Sequence, residues 1–179
     1  MQEEKGRAKN MVHIYYGDGK GKTTSAVGVA VRASGTGKTV LFTQFLKSDN
    51  SGERRILECI PTIKMPELPP KLKFIFDTTP EEHMQFKKDA VELYQYILRN
   101  MHKYDMIIAD EIFSAVDIGF LTLSDIRTLM GNTKEEQDLV LTGHSVDKSI
   151  IAYADYVSVI TKVKHPYDDG LKARRGVEY

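Results

Sequence analysis

A β-prone run, residues 11–15, passes without a spacer into the glycine-rich string Tyr16-Gly-Asp-Gly-Lys-Gly-Lys-Thr-Thr24, and a helical run, residues 22–34, begins inside that string. No other feature constrains the fold as much. A strand, a tight glycine turn and a helix in direct succession form the first half of a crossover unit, whose strands must run parallel. The rest of the chain repeats the alternation. Short runs at 40–45, 72–76, 106–109, 139–142 and 156–160 read as further strands. Those at 106–109 and 139–142 are almost continuously apolar, which fits strands covered on both faces. Between the strands, the sequence predicts a charged helix at 52–59, a long helix at about 81–101 and a short one at 147–154. On the long helix Phe86, Ala90, Tyr94, Ile97, Leu98 and Met101 share one face; Thr79 is its expected N-cap, with Pro80 in the first turn. The proline-rich stretch from Pro61 to Pro70 cannot be regular throughout. With 179 residues and no repeat or linker, the expectation is one α/β domain spanning 1–179, with residues 1–10 flexible.

Composition removes several functions. Lys+Arg and Asp+Glu both number 25, so the formal net charge is zero and a dedicated nucleic-acid or anionic-membrane binder is not expected. Cys59 is the single cysteine, which excludes an intramolecular disulfide framework and a multi-thiolate zinc site. No apolar run approaches the ~18 residues of a membrane span, and residues 1–10 are polar, unlike a signal peptide. The expected address is the cytoplasm.

The glycine-rich string carries the chemistry. Gly17, Asp18, Gly19, Lys20, Gly21, Lys22, Thr23 and Thr24 are the candidate nucleotide-binding residues. Glycines let successive amides turn toward an anion at the positive end of the helix, Lys22 adds charge at the distal phosphates, and the Thr23 hydroxyl suits Mg²⁺. The usual phosphate loop has four residues between its first glycine and the Gly-Lys pair; from Gly17 to Gly21 there are three, a tighter loop. A second Gly-Lys-Thr, at 37–39, follows a helix and precedes a strand, where the helix dipole repels anions, so it is expected to be a helix cap. Asp110 and Glu111 close the apolar strand at 106–109, the place where a parallel sheet presents carboxylates to a metal beside its phosphate loop. Thr23, Asp110 and Glu111 are therefore the expected ligands of Mg²⁺ (or Mn²⁺), and Lys22, Thr23 and Glu111 the expected catalytic residues. On these elements alone the chain equally suits a Mg-dependent ATPase, with Glu111 activating water, a small-molecule kinase or a nucleotide sensor.

Further strings narrow the choice. The shortened loop, Gln44-Phe-Leu-Lys47, Gly52-Glu-Arg54, Asp110-Glu111, Thr142-Gly143, and the C-terminal Lys164-His-Pro-Tyr-Asp-Asp-Gly-Leu-Lys-Ala173 with Gly176-Val-Glu-Tyr179 together resemble the ATP:corrinoid adenosyltransferase family over nearly the whole chain. The resemblance implies a three-layer, RecA-like P-loop NTPase fold with a mainly parallel sheet of five to six strands, and a homodimer. It implies transfer of the 5′-deoxyadenosyl group of ATP to the cobalt(I) of a corrinoid, with release of triphosphate, and a flavoprotein as the kind of reductant that partners the enzyme. Phe74 and Phe76 match an aromatic pair that covers one corrinoid face and excludes the lower axial ligand; tryptophan is usual at the second position. His144 stands where arginine is usual, and Arg174 and Arg175 where the pattern runs through a glutamine. The tail, 162–179, is expected to lie over the site.

Overall fold

The computed structural model describes residues 10–47, 51–67, 78–171, 174 and 176–177. Six strands, β1 (Met11–Tyr16), β2 (Val40–Gln44), β3 (Ile63–Lys64), β4 (Met106–Asp110), β5 (Asp138–Gly143) and β6 (Tyr156–Val159), form one sheet in the order β3-β2-β4-β5-β1-β6. Every pairing is parallel. The helices are α1 (Lys22–Ser34), α2 (Gly52–Leu57), α3 (Pro80–Asn100), α4 (Ile112–Asp117), α5 (Leu123–Gly131) and α6 (Lys148–Ile151). This is the three-layer α/β architecture the sequence predicts, consistent with a P-loop NTPase-like domain. The expected strand at 72–76 lies outside the described residues.

Alternation along each strand sorts the core into two layers. Phe42, Met106, Ile108 and Val140 face α1, which offers the small residues Ala26, Ala30 and Ala33 and so lies close to the sheet. Leu41, Ile107, Ala109, Leu139 and Leu141 face the opposite layer, where α3 contributes Ala90, Tyr94 and Ile97 and α5 contributes Ile126 and Leu129. Helix α3 starts as its sequence dictates: the Thr79 hydroxyl accepts from the amide of Glu82 while the Glu82 carboxylate accepts from the amide of Thr79, with Pro80 following. Helices α4 and α5 are too short for apolar spacing to announce them. A local signal for α5 does exist, since Thr122 and Asp125 form the same reciprocal cap.

Two details depart from expectation. The helix near 150 is shorter than 147–154, although Asp147 does cap it by accepting from the amide of Ser149. Strand β6, at the sheet edge, is exposed at all four residues rather than covered. The second Gly-Lys-Thr lies at the N-terminal edge of β2: Gly37 takes φ 84°, and the Lys38 ammonium pairs with Asp138 at 3.1 Å. No helix among the described residues is long and apolar enough to cross a membrane.

At that same edge the Asp105 carboxylate accepts from the amide and the hydroxyl of Thr39, both at 2.8 Å. The Thr39 amide and then its hydroxyl hold the Asp105 carboxyl below the usual carboxylate range. A depressed folded-state pKa contributes stability that is complete above the unfolded value, about 3.9, and is lost as pH falls through the lower folded value. Asp105→Asn is therefore expected to lower the urea midpoint at pH 7, by a margin that shrinks as pH falls below about 4. Urea melts of both proteins across a pH series read this directly.

Candidate active site

Sheet register assembles the site before any side chain is considered. Gln44 of β2 pairs with Asp110 of β4. Ala109 pairs with Leu141 across the next ladder, which puts Asp110 in line with Thr142 of β5. A row of buried polar residues thus crosses the C-terminal edge of an otherwise apolar sheet, where ligands of parallel sheets bind. Beta1 lies beside β5, so its loop and the start of α1 rise over this row.

Asp110 is the hub and is wholly buried. Its Oδ1 accepts from Thr142 Oγ1 at 2.7 Å and from Thr23 Oγ1 at 3.0 Å. Its Oδ2 accepts from Lys47 Nζ at 2.7 Å, Thr23 Oγ1 at 3.1 Å and Gln44 Nε2 at 3.4 Å. Lys47 also donates to Thr23 Oγ1 at 3.0 Å and lies 3.7 Å from Glu53 Oε1. Glu111 has a different position. It takes the left-handed conformation, φ 60°, at the start of α4; its amide donates to Thr142 Oγ1 at 2.8 Å, and its carboxylate accepts from Ser114 Oγ. A non-glycine residue in this region costs of order 1 kcal/mol and persists only where its surroundings impose it.

A cavity of about 260 Å³ is lined by residues 18–24 of the loop together with Glu111, His165 and Val177. The structure thus brings Asp18, Gly19, Lys20, Gly21, Lys22, Thr23, Thr24 and Glu111 around one space and sets Asp110 behind Thr23. Two residues from the end of the chain share that wall. Phe74 and Phe76 lie outside the described residues, as does Arg175. The first internal bond of α1 runs from the Ser25 amide to the Gly21 carbonyl, so the amides of residues 22–24 have no acceptor within the helix. They meet an anion at the positive end of a 13-residue helix. Lys22 Nζ donates to the Gly19 carbonyl at 3.0 Å, which holds its ammonium across the loop.

Backbone pairing explains two of the loop's glycines. Past β6 the chain continues alongside it: Ile160 donates its amide to the Tyr16 carbonyl at 2.7 Å, Gly19 donates to the Ile160 carbonyl at 2.8 Å, and the Lys162 amide donates to Asp18 Oδ1 at 2.9 Å. That amide holds the Asp18 carboxyl below its usual range. A Cβ on Gly17 would stand 2.4 Å from the Ile160 carbonyl oxygen, and one on Gly19 would stand 2.8 Å from it. These two glycines are required by the crossing backbone. The amide of Gly19 is accordingly committed to the protein, and the amides of 22–24 form the anion-facing set. The sequence singles out the loop and the acidic pair, which the structure brings near one another with Glu111 on the cavity and Asp110 behind Thr23, but it assigns no role to Lys47, Gln44, Glu53 or Thr142. The signal for two of them was available, because Gln44 and Thr142 are polar residues ending apolar strands.

The donor set suits a hard divalent cation. Among the described residues no three His, Cys, Asp or Glu side chains converge on one point. Mg²⁺ uses one or two protein oxygens plus water and substrate phosphates. The Lys47 ammonium is seated between Thr23, Asp110 and Glu53. Beyond Lys47 a second cavity, about 330 Å³, has a mixed wall, with Phe45, Leu46, Phe86, Leu93 and Tyr96 interleaved with Gln44, Glu67, Asp89, Glu92 and Arg99.

Comparison with known proteins adds three observations. The profile of a family described as ATP:corrinoid adenosyltransferase BtuR/CobO/CobP matches residues 8–179. A corrinoid adenosyltransferase of Escherichia coli K12 is 32% identical over 181 residues, covering 99% of this chain and 88% of that protein. Corrinoid adenosyltransferases of Salmonella typhimurium and Pseudomonas aeruginosa are 31% and 29% identical, over 99% and 96% of this chain and 88% and 84% of their own lengths.

Proposed function

We propose, from the premise that this chain belongs to the ATP:corrinoid adenosyltransferase family, that it transfers the 5′-deoxyadenosyl group of ATP to the cobalt(I) of a corrinoid and releases triphosphate. The observation that carries this reading is the grouping of free helix-end amides, Lys22, Thr23 and Glu111 around one cavity, beside a second cavity of mixed lining. In the reaction the electron pair of cobalt(I) forms the bond to C5′. The C5′–oxygen bond breaks, and its pair departs on the triphosphate. Cobalt(I) is itself the nucleophile, so the protein need not supply one.

What remains for the protein is to stabilise a departing polyanion and to align carbon with cobalt. The amides of residues 22–24 and the ammonium of Lys22 grip the triphosphate, with Lys20 on the same wall. The reading requires the nucleotide to lie with its phosphates on the loop and C5′ toward the corrinoid. Thr23 and Glu111 would hold Mg²⁺ or Mn²⁺, with Asp110 fixing Thr23 from behind; the ion would neutralise phosphate charge. Alignment by gripping is the larger contribution, since well-oriented intramolecular reactions gain up to about 7–11 kcal/mol. The cavity past Lys47, with apolar and charged groups on its wall, supports a second substrate that has both apolar and polar groups. The reading includes a homodimer and a flavoprotein reductant.

The test is anaerobic incubation with ATP, Mg²⁺ and chemically reduced corrinoid. The expected result is the spectrum of a light-sensitive alkyl–cobalt bond with stoichiometric triphosphate. Release of ADP and phosphate, with the corrinoid unchanged, would overturn it. Phe74 and Phe76 enter as the pair that shields one corrinoid face. Phe76→Ala is accordingly expected to slow the reaction of cobalt(II) plus reductant several times more than that of pre-reduced cobalt(I). Equal losses in the two assays would make Phe76 a packing residue.

A further inference from the structure

Among the described residues Lys47 is the one positive charge that the buried hub holds directly. Its ammonium lies 2.7 Å from Asp110 Oδ2, 3.0 Å from Thr23 Oγ1 and 3.7 Å from Glu53 Oε1. Glu53 is itself fixed by Gln44 Nε2 at 3.0 Å. These are hard oxygen donors, two of them carboxylates on different elements, converging on a single cation. The backbone aims the side chain there: Leu46, just after β2, takes the left-handed conformation at φ 54° and turns the chain sharply before Lys47. The partners differ in freedom. Asp110 has no exposure, whereas the Lys47 side chain is 26% exposed and has a route to solvent.

We propose that Lys47 is a tethered counter-cation: it occupies the Thr23–Asp110 seat in the free enzyme and is displaced when a divalent cation enters. This rests on the reading of Thr23 as part of a cation seat. A buried carboxylate left without a partner is costly, so the seat is never without a positive charge. A divalent ion arriving alone must break the 2.7 Å contact and gains only Thr23, Asp110 and water in return. One arriving with a triphosphate brings further oxygen ligands, and the phosphates offer the displaced ammonium a new partner. Lys47 thereby makes cation uptake conditional on the nucleotide. It is a positioning residue acting through the seat.

The experiment titrates Mn²⁺, without nucleotide or corrinoid, into the wild-type enzyme and into Lys47→Met, counting free Mn²⁺ by electron paramagnetic resonance. A ligand that must displace an occupant present nine-tenths of the time loses about tenfold in apparent affinity. Lys47→Met is therefore expected to bind Mn²⁺ about tenfold more tightly or better. Equal affinities would overturn the counter-cation proposal and leave the seat intact. Binding by neither protein, with or without ATP, would overturn the seat itself. A second measurement needs no variant. Acylation of wild-type Lys47, followed by mass spectrometry, is expected to accelerate as Mn²⁺ rises while other lysines keep their rates. Labelling of Lys47 that ignores Mn²⁺ up to saturation of the site would likewise refute the proposal, even if Lys47→Met fails to fold.

Discussion

Lys22→Ala is expected to lower kcat for adenosyl transfer by about 10²–10³-fold, the cost of removing one preorganised donor from a site of developing negative charge. The protein should melt within about 2–4 °C of the wild-type temperature. The two halves of this expectation have separate grounds. In the folded protein the Lys22 ammonium bonds the carbonyl of Gly19, within its own loop, at 3.0 Å. Such a bond is worth about 1 kcal/mol net and bears on no distant element. The shape of the loop is set elsewhere, by Ile160 and Lys162 crossing Gly17, Asp18 and Gly19, and α1 starts on the Gly21–Ser25 bond whatever stands at 22. Charge lost on the leaving group, by contrast, has no local substitute. The amides of 22–24 carry partial charge only, and Lys20 and an ion at Thr23 and Glu111 would act from other parts of the wall. Steady-state rates with saturating reduced corrinoid and ATP, beside a thermal melt, decide the matter. Near-wild-type kcat would take the loop out of the transfer mechanism, and a fall in melting temperature well beyond about 4 °C would show that Lys22 holds the fold.

How far the sequence could anticipate this site depended on how local each signal is. Helix α1, the cap of α3 and the loop itself are written in consecutive residues, and the structure places them where the sequence does. Asp110 and Glu111 are adjacent in sequence, which reads as a pair of like ligands. The fold separates them: Asp110 ends β4 facing down under Thr23, while Glu111 turns through φ 60° into the cavity. One backbone torsion, invisible in the letters, divides the roles. Gly17 and Gly19 were legible as turn residues but not as required ones, because what requires them is the backbone of Ile160, remote in sequence, lying against the loop. Lys47, Gln44 and Thr142 meet only through the register of three parallel strands. That register follows from which strand sits beside which, and a pattern of apolar runs does not state it. Phe74 and Phe76 enter through resemblance alone.

Asp110→Asn is expected to cost about 3 kcal/mol of stability and to abolish activity together with it, although Asp110 does not line the cavity. Two hydroxyls, an ammonium and an amide aim donors at its two oxygens, and an ionised carboxylate has about four lone-pair positions to accept them. Asparagine keeps the volume but has one acceptor oxygen and presents an NH₂ group to groups that are themselves donating. At least two of the four bonds are then lost inside a fully buried site. Removing one member of a buried charge pair costs about 3–5 kcal/mol; the lower end applies here because Lys47 can swing into water. For a domain of this size, 1 kcal/mol moves Tm by about 2–4 °C, so a fall of about 6–12 °C is expected. Activity fails with it because Thr23 and, through Thr142, the backbone of Glu111 are both positioned by this carboxylate. Glu111→Gln supplies the contrast. Glu111 bonds only Ser114 through its carboxylate among the described residues, so its loss should reduce turnover while leaving Tm within a degree or two of wild type. An Asp110→Asn protein as stable as the wild type would mean that the row of polar residues under the loop is held by packing and not by charge.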